Sequence, residues 1–177
     1  MSYYDLNHPM ISFFIALAIF YALLLVVSIP LVIWQRRRFA RRQAERRRQV
    51  MESDSISAQD FLANWRVGKR GSGLGYAAID CPGCYVILTN PVIQVNGDTE
   101  YEAVYVGQSV RVCSRVRQRF TGHGNGDVYA DVRAGKDVQV RIIPCDEQEM
   151  NDTECDLMDT FNATNSYNRT RGGSRRR

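Results

Sequence analysis

Apolar side chains run without a single charge from residue 11 to residue 34, the longest such stretch in the chain. At 1.5 Å per residue a helix of that length reaches roughly 36 Å, enough to cross the ~30 Å hydrocarbon core of a bilayer with some tilt. The pattern predicts a transmembrane helix over residues 11–34. Pro30 stands near its end, where headgroups and water meet the missing hydrogen bond. Further on the period changes. Residues 83–89 and 101–107 are apolar and aromatic runs of strand length, with the turn signal Val95-Asn96-Gly97-Asp98 between them. In residues 109–120, Val112, Val116 and Phe120 recur every fourth position, which predicts a helix. A short helix over 126–134, an alternating strand over 137–144 and a second main helix over 147–161 complete the pattern.

The flanks of the apolar run set its expected direction. Residues 1–10 carry only Asp5, whereas Arg36, Arg37, Arg38, Arg41, Arg42, Arg46, Arg47 and Arg48 follow the span with Glu45 alone opposing them. The positive-inside bias then predicts a single-pass protein of the cell membrane, N-terminus outside and the remainder cytoplasmic. A cleaved signal peptide would carry its charges before the apolar run. Residues 35–50 read as an arginine-rich juxtamembrane helix in contact with anionic lipid headgroups. Residues 51–80 read as a linker, with Ser57 and Asp60 capping a short helix and Lys69 to Gly75 as a flexible joint. A phosphate-loop reading of those glycines lacks the preceding strand and the following helix. Residues 81–168 read as the folded domain and 169–177 as a basic tail.

Charge argues for a local rather than a global anion-binding surface. Of the total of +4, residues 35–50 hold +7 and Asp5 holds −1, which leaves residues 51–177 at −2. Five cysteines on the cytoplasmic side are expected as thiols. Cys81-Pro-Gly-Cys84 has the spacing of a zinc half-site, but no second pair completes it, and the strand-like Tyr85 to Leu88 argues against a redox helix. Cys84 is expected as a small apolar residue of the sheet.

Two helices carry charges in unexpected places. On the helix over 147–161, Met150, Leu157, Met158 and Phe161 fall within about 60° of Glu154, which puts a carboxylate in the apolar stripe. Such a group is costly unless a metal ion or a buried arginine meets it, and the sequence leaves both open. On the helix over 109–120, Arg111, Arg115 and Arg119 stand at every fourth position. Like charges so spaced repel, so the row either faces a polyanion such as DNA or takes carboxylates from the acidic helix.

Gly83-Cys84-Tyr85, Tyr105-Val106-Gly107, the helix with Arg115, the carboxylate of Glu154 and Tyr167-Asn168 occur in this order. The set resembles the active site of the GIY-YIG nucleases, over residues 83–168. The resemblance implies an α/β (α+β) domain of order β-β-α-(α)-β-α, with a small three-stranded, mainly antiparallel sheet flanked by helices. It implies Tyr85 and Tyr105 as the paired tyrosines, one of them a general base for the attacking water, and Arg115 as the residue steadying the scissile phosphate. It implies Glu154 as ligand to a single Mg²⁺ or Mn²⁺, and Asn168 as the asparagine that closes the site by hydrogen bonding. Two departures concern spacing and the first motif: nineteen residues lie between Tyr85 and Tyr105, and Cys84 replaces the central isoleucine. A third concerns chemistry, because Arg119 stands where many members have a histidine or tyrosine. His123 is either a substitute for it or an ordinary loop residue.

The expected function is a membrane-anchored, divalent-metal-dependent endonuclease hydrolysing phosphodiester bonds in DNA. Arg111, Arg115 and Arg119 are its expected nucleic-acid contacts, and the anchor and its arginine-rich flank contact lipid. The alternative is an inactive module of the same fold that binds nucleic acid or a protein partner at the membrane.

Overall fold

The computed structural model describes residues 8–66, 75–94 and 99–168. The glycine-rich joint, the tip over 95–98 and the basic tail therefore lie outside the described residues. The chain forms two compact units, residues 1–42 and 43–177.

The first unit consists of helix α1, which spans His8–Glu52 and continues into the second. From Ile11 to Arg42 every side chain is exposed. One helix near the N-terminus is thus long and apolar enough to cross a membrane, with a mean hydropathy of 2.8 in its most apolar window.

The second unit mixes helices with an antiparallel sheet. Its elements are β1 (Ile56–Ser57), α2 (Ala58–Ala63), β2 (Gly83–Thr89), β3 (Val92–Ile93), β4 (Thr99–Glu100), β5 (Ala103–Ser109), α3 (Val112–Phe120), α4 (Gly126–Arg133), β6 (Val138–Pro144) and α5 (Met150–Thr160), followed by a 3-10 turn at Ala163–Asn165. The main sheet has four strands in the order β1-β6-β2-β5, all antiparallel, one more than the three expected. The additional strand comes from residues expected as linker. Ile56 pairs with Val140, Ser57 caps α2 by accepting from the Asp60 amide at 3.0 Å, and Phe61 is fully buried. Strands β3 and β4 form a separate ribbon.

Period-two alternation in β2 divides the core. Tyr85 and Ile87 pack with Phe61, Val112, Val116, Phe120 and Val128, so α2, α3 and α4 cover one face. Cys84, Val86 and Leu88 pack with Val104, Val106, Leu157, Met158 and Phe161, so α5 covers the other. The arginine run is divided as well. Arg47, expected as part of a lipid-facing row, donates to the Thr99 carbonyl at 2.8 Å and lies over the rings of Tyr101 and Phe161. Arg141 of β6 donates to the carbonyls of Val50 and Ser53, capping the C-terminal end of α1.

Candidate active site

Both tyrosines of the two short motifs come from neighbouring strands and point to the α3 face. Tyr85 pairs with Gly107 and Ile87 with Tyr105, which brings the two tyrosine rings to 6.1 Å. The glycines are steric requirements. A Cβ on Gly107 would meet Tyr85 Oη at 2.5 Å, and one on Gly83 would meet the Ile143 carbonyl at 2.6 Å. The first lets the phenol lie flat on the backbone of β5; the second lets β2 approach β6.

Arg119 closes over this pair. Its Nε donates to Tyr85 Oη at 3.2 Å, and its guanidinium carbon lies 5.2 Å from the centre of the Tyr105 ring. Behind it runs the loop that follows α3, where a Cβ on Gly124, at φ +121°, would collide with the guanidinium. Tyr85 is fully buried, and Tyr105 is half-buried. Burial raises the Tyr85 phenol well above its ordinary pKa, Tyr105 adds to this, and the opposing pull of Arg119 does not cancel it. Tyr85 is therefore a neutral phenol at physiological pH.

The other arginines of α3 are exposed. Arg115 Nη1 donates to Gln118 Oε1 at 3.0 Å, one turn before Arg119. Arg111 Nε donates to Asp80 Oδ2 at 3.3 Å. Asp80 also accepts from the amides of Cys113 and Ser114 at 2.7 and 3.3 Å, filling the N-terminal end of α3. The carboxylate that meets Arg111 thus comes from the segment before β2. His123 is exposed, with Nδ1 3.4 Å from Thr121 Oγ1.

Glu154 is buried on α5, at 7% exposure, as the apolar stripe predicted. Its Oε2 accepts from Gln108 Nε2 at 3.0 Å, and the same nitrogen donates to Asn151 Oδ1 at 2.5 Å. Gln108 pairs with Cys84 and shares the α5 face, so the sheet stands between Glu154 and the Tyr85–Tyr105–Arg119 group. Consecutive residues Gly107 and Gln108 put the two groups back to back near one end of the sheet. Both oxygens thus converge on the Gln108 amide nitrogen. Among the described residues no three His, Cys, Asp or Glu side chains form a metal-holding group, so an ion here would rest on Glu154, the Asn151 amide oxygen and water.

Asn168 is buried and binds backbone. Its Oδ1 accepts from the Val106 amide at 2.8 Å, and its Nδ2 donates to the Val106 carbonyl at 2.7 Å. With Ser166 and Tyr167 on Val104 at 2.9 and 3.2 Å, the C-terminal segment serves the edge of β5 as a further strand would. Sequence reading missed the anchor of this segment. Asp131 of α4 is buried and accepts from Tyr167 Oη at 2.5 Å and Thr89 Oγ1 at 3.0 Å, with Lys136 Nζ at 3.0 Å. Asn125 then ties the segment to the loop, its Nδ2 donating to the Tyr167 carbonyl at 2.9 Å while its Oδ1 caps α4. Cys84 is buried, as expected, and burial raises its thiol above the ordinary range. All five cysteines are free thiols.

No protein-family model, curated protein or solved structure matches the chain.

Proposed function

We propose that this chain is a membrane-tethered phosphodiester hydrolase of the GIY-YIG type acting on DNA. The observation that carries the reading is the meeting of Tyr85, Tyr105 and Arg119 on one face of the sheet, beside the exposed Arg111 and Arg115. The element order β2-β5-α3-α4-β6-α5, with β2 central between β5 and β6, supports the finer expectation for the fold.

In this reading the arginines of α3 bind the phosphate backbone, and Arg115 steadies the scissile phosphate. Tyr85, neutral and buried, orients its neighbours. Tyr105 is the tyrosine that water reaches, so, once its own proton has gone to solvent beside the Arg119 guanidinium, its phenolate is the better placed to receive the proton of an attacking water, with His123 as the exposed alternative. Mg²⁺ or Mn²⁺, held by Glu154 with Asn151, would supply charge stabilisation for the leaving group. The arginine asymmetry around α1 favours a cytoplasmic domain with access to DNA; a C-terminal reporter that reads as exported overturns that orientation.

The test is nicking of supercoiled plasmid by the full chain in detergent, with Mg²⁺, with Mn²⁺ and with EDTA. Metal-dependent nicking by the parent and none by Glu154→Gln is the expected result. A second reading, a non-cleaving module that binds the polyanion, is favoured by the burial of Tyr85 beneath Arg119. Binding without nicking under all three conditions would select it.

A further inference from the structure

Arg119 has two uses, and they compete for the Nε edge of its guanidinium. As a phosphate ligand it belongs with Arg115, one turn before it on α3, and with Arg111 at the residue preceding that helix. In the structure its Nε is instead spent on Tyr85 Oη at 3.2 Å, and its flat face on the Tyr105 ring at 5.2 Å. The Gly124 backbone packs so closely behind that no side chain fits between. Tyr85 beneath it is wholly excluded from solvent.

We infer that Arg119 is a latch: a polynucleotide phosphate draws its guanidinium off Tyr85, and the same movement uncovers the tyrosine pair. This rests on the phosphodiester-binding reading above and gives that site a resting, closed state. Three features make the movement feasible. The Arg119 side chain is only half-buried. Its neighbours Arg111 and Arg115 are exposed and bring a phosphate strand to it. A guanidinium–phosphodiester contact is charge-assisted at both ends, whereas the contact with a neutral phenol is so at one only. The hydrogen bond to Tyr85 opposes bidentate binding through the Nε edge, because it must break before that edge engages phosphate.

The consequence is a tyrosine whose removal improves binding. Affinity is measured with a short fluorescent DNA duplex and the full chain in detergent, in EDTA so that no strand is cut. Tyr85→Phe keeps the ring packed on Gly107 and removes only the bond to Arg119. It is expected to bind roughly tenfold tighter than the parent, the order of a hydrogen bond to a charged group. Arg119→Met is expected to bind more weakly, and adding Tyr85→Phe to it is expected to give no tightening. Equal or weaker binding by Tyr85→Phe overturns the latch while the phosphate-binding reading stands. Failure of the parent to bind any duplex overturns both. Should Tyr85→Phe not fold, the unaltered chain decides the matter through the ¹⁵Nε–H resonance of Arg119. A shift on saturation with duplex supports the latch, and an unmoved resonance in a saturated complex overturns it.

Discussion

Gly107 and Tyr85 occupy the same space from opposite strands: a Cβ on the glycine would stand 2.5 Å from the tyrosine hydroxyl and 2.6 Å from its Cζ. The tyrosine motif on one strand therefore depends on the glycine of the other. Gly107→Ala is expected to destabilise the domain by about 1–3 kcal/mol, the usual cost of overpacking a filled site. Denaturant unfolding measures this. Because Cζ collides as well as Oη, Tyr85→Phe in the same chain should not restore stability. Recovery by that double variant would place the conflict at the hydroxyl alone.

Asn168 acts on a backbone, so its loss should appear in stability. Asn168→Ala leaves the Val106 amide and carbonyl without their side-chain partners and is expected to cost about 2–3 kcal/mol. Asn168→Asp keeps the acceptor for the Val106 amide but sets a carboxylate oxygen against the Val106 carbonyl, and should be at least as damaging. Thermal melting of the two variants beside the parent is the measurement. A melting point equal to the parent's would return Asn168 to a purely chemical role.

Arg47 separates itself from the rest of the arginine run. Truncation to Ala removes the bond to the Thr99 carbonyl and the guanidinium lying over Tyr101 and Phe161, with an expected loss of about 1–2 kcal/mol. Arg42→Ala, at an exposed position, should leave stability within about 0.5 kcal/mol of the parent. Equal effects in denaturant unfolding would refute the distinction.

Asp131 ties stability to pH. Burial alone would raise its carboxyl, but the bonds from Tyr167, Lys136 and Thr89 outweigh it and hold the group below its ordinary 3.8. A depressed folded-state pKa stabilises the domain at pH above the unfolded value, and that contribution is lost as pH falls through the folded value. Stability should therefore drop below about pH 4 in the parent. Asp131→Asn should be less stable at pH 7 and show a shallower fall in acid. Parallel melting curves for the two chains across that range would remove Asp131 as the cause.

Much of the domain was legible because its signals are local. The all-apolar run of Val86, Ile87 and Leu88 marks a strand buried on both faces, and β2 was anticipated over residues 83–89. The fourfold spacing of Val112, Val116 and Phe120 marked α3, and Glu154 was placed within the apolar stripe of α5, where it is buried. The Ser57–Asp60 cap marked α2 within the linker, but Ile56 belongs to a segment too short for a period to emerge, so β1 was hidden there. Two residues of strand are decided by a partner, here Gln139 and Val140, rather than by their own composition.

By itself, then, the sequence determined the longer helices and strands, the helix able to cross a membrane, and the order of the chemical groups along the chain. Periodicity and charge asymmetry are properties of a single segment, and need no partner to be read. Tertiary structure decided which groups meet. It brought Arg119 onto Tyr85 across 34 positions of chain, assigned Arg47 to the domain, and gave α3 and α5 opposite faces of the sheet. Alternate residues of a strand project to opposite sides, so neighbours such as Gly107 and Gln108 serve separate groups, and only the packing of the helices determines which group each one serves.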